Sequence, residues 1–573
     1  MPTRRSFLRS GLAAIGAGLF ARRGLAWFTP PKAPPTSSPP CPTSGGLAER
    51  YTDPFRPLPD APASVVVDGL PFMEGFTADG FADDAIPFHS VPDLGTLPEP
   101  QESVDVAIVG GGISGLATAY LLREHRPVLF ELRDRFGGNA LGEQWRGTRF
   151  SLGSAYVIVP DAGTFLESFY RELGVHRAAR VSFPPDPIEI GGDVRDDFWE
   201  CAGCPADERL AFERYAEVVT YMAEKGYPEI PLPDDPKGAA WVRELDRRTF
   251  REDVEERMGM PMPPLLAAAV QAYFYSSFGA GFDEVSAAGG WNFVAAEEYG
   301  RWVFPGGNGW LARAMWERLA RLDAPLPSAC RPHHLRAGCR VVDVRLSGPG
   351  VQVAWLDSAN TLRTLAARHV VMAGSKHVVK HVLHDLENLD PDKAAAMDQI
   401  ETAAYVVANV LLDARIERDF YDCFLVHDEC FPMTPGDFEQ RSQVVDMLSG
   451  HYAAARGRSV LTLYWPLPFP SGRFSLLDDA WNHYSARLAP QVRSMLALLD
   501  VPESAVRQVR MSRWGHAMPV ARPNLIADGV CETAARPIAG RVHFVNQDNW
   551  ALPAVENSLL DAQRTAERIH AAL

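Results

Sequence analysis

The 573-residue chain has no run of 18 apolar residues, so no segment is long enough to cross a bilayer as one continuous apolar helix. It has no internal repeat, which excludes a solenoid or a propeller. Eight cysteines are too few for a disulfide-stapled scaffold of this length. Their one close pair, Cys201-Ala202-Gly203-Cys204, is followed by Pro205 rather than His, so it is not a c-type haem attachment. Together with Cys330 and Cys339 it permits a four-thiolate zinc site. A disulfide or redox pair is a second reading, and unpaired or buried thiols are the favoured one. His333, His334, His377, His381 and His384 lack the companion spacing of a metal site, and no metal is expected. Basic charge is also short: 56 Lys and Arg face 72 Asp and Glu, a formal charge of −16. Such a surface does not suit nucleic acid. It would attract a cation, although acidity also serves solubility alone.

What is present begins with "DVAIVGGGISGLATAYLLREHRPVLFELRDRFGGNA", Asp105 to Ala140. An apolar run, Val104 to Val109, enters Gly110-Gly111-Gly112-Ile113-Ser114-Gly115, and helical periodicity continues from Ala117. Gly110 permits a tight turn, Gly112 a close approach to a pyrophosphate, and Gly115 close packing of helix on strand. Phosphates would then meet the helix N-terminus at Ile113 and Ser114, where free N–H groups and the dipole favour anions. A second strand, Pro127 to Phe130, ends in Glu131, sixteen residues past Gly115 and in reach of a ribose hydroxyl pair. The combination predicts a dinucleotide cradle.

"ELRDRFGGNA", with Glu131, Arg133, Gly137 and Gly138, resembles the stretch that follows the ribose-binding Glu in the flavin-containing amine oxidase superfamily. That group also takes in protoporphyrinogen oxidases and carotenoid desaturases, and its cradle binds FAD. Where the family often carries Arg after the glycine pair, this chain has Asn139. "FSLGSAYVIVP" resembles the family's turn beside the flavin and places Gly153, Ser154 and Tyr156 there. "FPGGNGWLARAMWERL" resembles the re-entry into the FAD domain, and Val341 stands where the family's backbone touches adenine. "GRVHFVNQDNWALPAVENSLLDAQRTAERI" resembles the closing motif. It puts Asp548 near the ribityl–phosphate arm, with Pro553 and Ala554 opening a last helix aimed at the flavin.

The resemblance implies an α/β fold: a GxGxxG FAD-binding Rossmann-like domain interleaved with an α+β substrate domain. The FAD domain is expected from 101–180, 303–400 and 536–573, and the substrate domain from 181–302 and 401–535. Helices are expected over Asp207–Lys225 and Pro264–Tyr275. Strands are expected over Val341–Leu346, Val351–Trp355, His369–Met372 and Val542–Val545. The isoalloxazine would sit between the domains.

The late start of the cradle has its own explanation. Thr3-Arg4-Arg5-Ser6-Phe7-Leu8-Arg9 has the twin-arginine export pattern. Gly11 to Ala21 is a short apolar segment, and Ala26 closes a small-residue cleavage site. The twin-arginine machinery carries folded proteins that already hold a cofactor, so a periplasmic or secreted flavoprotein is expected. Removing residues 1–26 takes away five arginines and no acids, changing −16 to −21. Residues 27–46 are Pro/Ser-rich and read as a linker, and 47–100 as an extension wrapped on the main body.

Within the superfamily, "FPGGN", "MSRWGHA" and "VNQDN" resemble spermidine dehydrogenase-like flavoproteins. The implied partner is a small amine, whose α-carbon gives up a hydride at flavin N5 before the imine hydrolyses. His516 is the acid/base candidate by residue type. The strand that carries a flavin-facing lysine in amine oxidases matches Tyr405–Leu412, with Asn409 at that position, which favours a dehydrogenase over an oxidase. The aromatic positions beside the amine match Trp514 and Trp550, without a tyrosine pair. Glu297 and Glu298 read as a solvated helix face in preference to a clamp for a cationic tail. Two alternatives stay open, a flavoenzyme that dehydrogenates a C–C bond of an apolar substrate, and a non-catalytic accessory protein with the FAD fold. Carboxylates facing the flavin would favour the amine, and a wholly apolar tunnel the desaturase. The oligomeric state is left open.

Overall fold

The computed structural model describes residues 53–78, 94–202, 205–323, 334–427, 431–454, 457–477 and 479–573. The export segment and the linker lie outside the described residues, as does Cys204.

The cradle sequence folds into the centre of a seven-stranded sheet. Strand Ser103–Val109 lies between Val128–Phe130 on one side and Leu362–Met372 on the other, parallel to both. Its residues alternate between two cores: Val106 and Ile108 pack beneath the helix layer, and Ala107 faces the opposite side. Burial on both faces explains why these strands read as near-continuous apolar runs. Leu362–Met372 is shared along its length. Its first half pairs antiparallel with Gly350–Leu356, and its end pairs parallel with Val542–Phe544. The chain's last strand therefore closes a sheet begun over four hundred residues earlier. Helix Ile113–Leu121 follows the first strand and packs on helices Gly309–Asp323 and Val555–Ala572.

A second, nine-stranded sheet carries the rest of the site. At its centre Thr402–Leu412 is buried throughout. Ala404, Val406, Ala408 and Val410 pack against helix Ala480–Leu498, while Ala403, Tyr405 and Val407 face the other way. That period of two fixes which side chains can meet a ligand. The 47–100 extension does more than wrap the surface. Leu70–Ala78 joins this sheet parallel to Val506–Pro519, because Leu70 and Phe72 are apolar enough to be fully buried there.

Some boundaries differ from expectation. The helix from Ala206 ends at Tyr221 and widens into a π turn, Met222–Gly226. The helix from Pro264 runs on to Phe278, where Gly279 in the left-handed region stops it. The last helix begins at Val555 with Ala554 as its N-cap, so Pro553 precedes it instead of opening it. Among the described helices none is long and apolar enough to cross a membrane.

Candidate functional site

One cavity of about 930 Å³ runs from the cradle to the nine-stranded sheet. At the cradle end, glycine is a steric necessity. A Cβ on Gly115 would lie 1.8 Å from the Gly110 carbonyl oxygen, and one on Gly138 would lie 2.9 Å from the Gly112 Cα. Gly110, Gly112, Ile113, Ser114, Gly137 and Gly138 line the cavity, leaving bare backbone where a pyrophosphate would lie. The first turn of helix Ile113–Leu121 carries no acidic side chain to compete for that place. Glu131 is fixed by two backbone donors, Gly111 N–H to Oε2 at 2.8 Å and Arg133 N–H to Oε1 at 2.8 Å. Each oxygen keeps a lone pair for a ribose hydroxyl. Burial raises this carboxyl above its usual range. Arg133 and Val341 line the same end.

In the middle, a turn is suspended between the two sheets. Asn139 donates to the Ala517 carbonyl at 2.5 Å and accepts from Ser154 N–H at 2.9 Å. Trp514 donates to the Leu152 carbonyl at 2.8 Å, and the Tyr464 hydroxyl donates to the Gly153 carbonyl. Gly153, Ser154 and Tyr156 all line the cavity. Asp548 lines it as well, its carboxylate accepting from Ser375 Oγ and Lys376 N–H at 2.7 Å each. Pro553 and Ala554 complete this wall. Such an elongated, backbone-lined slot fits FAD in shape and donor set.

At the far end the floor is one face of the nine-stranded sheet. Asp422 and Phe424, Asp446 and Leu448, Tyr464, then Tyr405 and Val407 project from four neighbouring strands into the cavity, and Trp514 from a fifth. Behind them lies a buried ionic cluster. Arg301, fully buried, meets Asp186 at 2.5 Å, Asp422 at 3.2 Å and Glu297 at 3.5 Å. Tyr156 donates to the Glu297 carboxylate, and Ser276 donates to Asp446 at 2.5 Å. Three buried carboxyls thus share one guanidinium, and a fourth, Asp446, stands beside Asp422. Burial pushes Glu297 up to about 7 and holds Asp186, Asp422 and Asp446 above the usual carboxylate range.

The sequence expectations fare unevenly here. His516 does line the cavity, its ring 3.5 Å from that of His377 between centroids. Asn409 does not. It shares a sheet face with Tyr405 and Val407 but lies beyond the wall, donating to the Ser151 carbonyl at 3.0 Å and accepting from Thr462 at 2.7 Å. The preference for a dehydrogenase that rested on Asn409 therefore has no geometric support. Trp550 also turns away: the short turn Gln547–Trp550 points its indole inward, where it donates to Asp561 at 3.2 Å. Glu297 is buried and ion-paired, so the solvated-face reading is corrected. A tyrosine pair does line the wall, Tyr405 and Tyr464, edge to face at 6.4 Å between ring centroids. Cys201 is disulfide-bonded and Cys339 is a free thiol, which removes the four-thiolate zinc reading. Among the described residues no group of three metal-ligating side chains occurs. Asp422, Asp446, Asp186 and Arg301 were not singled out by sequence. Each stands alone in its own segment, and only the fold brings them together.

Known proteins point the same way. The family described as flavin containing amine oxidoreductase matches residues 113–569. An amine oxidase [flavin-containing] of Oncorhynchus mykiss is 48% identical over 60 residues, covering 10% of this chain and 12% of that protein. A 15-cis-phytoene desaturase of Narcissus pseudonarcissus is 29% identical over 174 residues, covering 29% of this chain and 30% of that protein. The chain thus aligns with less than a third of the length of these curated relatives. Among solved structures, putrescine oxidase bound to putrescine superposes with a TM-score of 0.60 at 17% identity, covering 82% of this chain and 99% of that one. Cyclohexylamine oxidase from Brevibacterium oxydans IH-35A gives 0.57 at 18% identity, with the same coverage. At these identities the likeness is one of fold.

Proposed function

We propose that this chain, which belongs to the flavin containing amine oxidoreductase family, oxidises a small cationic amine at the carbon next to its nitrogen, leaving an imine for water to hydrolyse. It is an oxidoreductase with FAD as cofactor. FAD, when bound, supplies the hydride acceptor. The protein supplies the rest. Gly110, Gly112, Gly137, Gly138 and the N–H groups of Ile113 and Ser114 would hold the pyrophosphate, and Glu131 the ribose. Asn139, Gly153, Ser154, Asp548 and the Pro553–Ala554 turn would hold the ribityl and ring end. Tyr405, Tyr464 and Trp514 would orient the substrate and keep water from its reacting carbon.

The observation that carries this reading is the pair Asp422 and Asp446 in the cavity floor, backed by more carboxyls than cations. A buried negative excess is a well for a cation. The alternative, dehydrogenation of a C–C bond, draws on the phytoene desaturase matches and on the apolar part of the wall. An apolar substrate would, however, seal both carboxyls in with only one guanidinium behind them to balance the surrounding acids. Anaerobic mixing of the FAD-loaded protein with amines, amino acids and polyamines tests the assignment by flavin absorbance. Bleaching by one amine class supports it. A flavin that stays oxidised with every amine but is reduced by dithionite overturns it.

Export by the twin-arginine route is part of the same proposal, resting on Thr3–Arg9 and the apolar segment after it. Replacing Arg4 and Arg5 by Lys should retain the protein in the cytoplasm, as cell fractionation would show. Unchanged export would refute the assignment.

A further inference from the structure

We infer that Asp422 and Asp446 act as one proton-sharing carboxyl pair that takes the ammonium proton from the substrate before oxidation, an inference that rests on the amine reading above. Asp422 stands opposite Leu448 and Asp446 opposite Phe424 on adjacent antiparallel strands, so the two are diagonal neighbours on the cavity face. Oδ2 of Asp422 is engaged by Arg301 at 3.2 Å, and Oδ2 of Asp446 by Ser276 at 2.5 Å. Oδ1 of each is buried and receives no hydrogen bond from a donor group of the protein. Two buried carboxylates that close would repel each other strongly. One proton held between them supplies the missing donor, as in other close carboxyl pairs. Arg301, Asp186, Glu297, Tyr405, Tyr421 and Tyr464 surround the pair. That is one cation among acids and phenols, and burial raises both Asp422 and Asp446.

Amine oxidation needs the nitrogen lone pair, yet an alkylammonium ordinarily releases its proton near pH 10. In the cavity the N–H bond breaks with its electrons left on nitrogen, and an O–H bond forms on the pair's carboxylate oxygen. The ammonium becomes a neutral amine and the carboxylate a neutral acid, so a buried ion pair is exchanged for two uncharged groups. Low polarity favours that exchange. The freed lone pair can then form the C=N bond as the hydride leaves the α-carbon.

tert-Butylamine, a primary amine with no hydrogen on its α-carbon, tests this without turnover. Added to FAD-loaded wild-type protein at neutral pH, it should produce a new carboxylic acid C=O band in the infrared difference spectrum, one that shifts in D2O. The band should be missing from an Asp422→Asn/Asp446→Asn variant that retains FAD. Binding without a new acid band in the wild type overturns the inference and leaves the amine reading intact, whatever the variant does. With an oxidisable primary amine, Asp446→Asn should slow anaerobic bleaching roughly 10²- to 10³-fold at neutral pH, with recovery as pH approaches 10, where the amine is already neutral. No loss, or a loss that persists at high pH, overturns the inference. If no amine binds or bleaches the flavin, the amine reading fails and the inference with it.

Discussion

The Tyr464 hydroxyl donates to the main-chain carbonyl of Gly153, tying the floor of one sheet to the turn beside the cradle of the other. Tyr464 is also the cross-strand partner of Asp446. One phenol thus fixes the distance between the carboxyl pair and the turn that would border the flavin.

Removing that hydroxyl should loosen the spacing and leave the fold intact. Tyr464→Phe keeps the ring in the wall and loses one hydrogen bond, worth about 1 kcal/mol. We expect FAD content to stay unchanged and anaerobic flavin reduction by substrate to slow several-fold. Stopped-flow absorbance checks both, and an unchanged reduction rate would show that the tie has no bearing on the site.

Gly115→Ala addresses the cradle. The added methyl would lie 1.8 Å from the Gly110 oxygen, an atom held by the strand and unable to yield like a flexible side chain. The expected outcome is protein lacking FAD, or insoluble protein, since overpacking at rigid backbone costs at least about 1–3 kcal/mol. The flavin-to-protein absorbance ratio measures it. A normal ratio would mean that the helix can move off its strand.

Arg301→Met should produce a stability defect that depends on pH. In the wild type, Glu297 titrates at about 7 in the fold against 4.5 ordinarily, mainly through burial. The folded chain therefore binds more protons than the unfolded chain between these values. This group's contribution is fully present below about 4.5 and is lost as pH rises through about 7. Arg301 opposes that loss by stabilising the ionised carboxylates. Without it we expect a deficit of about 3–5 kcal/mol at neutral pH that shrinks toward pH 5. Thermal melts across pH check the sign, and a deficit independent of pH would separate Arg301 from the carboxyls.

Asn409→Ala should act on stability alone. Both ends of its amide are hydrogen-bonded, to Ser151 and Thr462, so truncation should destabilise by about 1–3 kcal/mol. Flavin reduction by substrate should match the wild type at temperatures where the variant is folded. A large rate loss there would return Asn409 to the site.

The cradle was legible because its determinants are local. Strand, glycines, helix and Glu131 fall within thirty residues, and each glycine answers a steric demand that sequence spacing alone expresses. The substrate end was not. Asp186, Arg301, Asp422 and Asp446 come from four separate segments, and a lone Asp at the head of an apolar strand gives no sign of which face it will occupy. Trp550 and Asn409 show the converse. Both lie in segments with recognisable likeness, yet a turn in one case and one pleat of a strand in the other carry the side chain off the cavity. Tyr405 was passed over because the sheet partner that brings Tyr464 beside it lies sixty residues downstream.

The order of strands also constrains how the protein comes into being. Leu70–Ala78 emerges from the ribosome early but must wait for Val506–Pro519, and the first cradle strand shares its sheet with Val542–Phe544. Neither sheet can be completed before residues beyond 500 are available, because each needs a strand from that stretch. Non-local closure of this kind is slow. A growing chain therefore carries both sheets unfinished until these strands are available, and the part of the flavin slot lined by Pro553 and Ala554 comes later still.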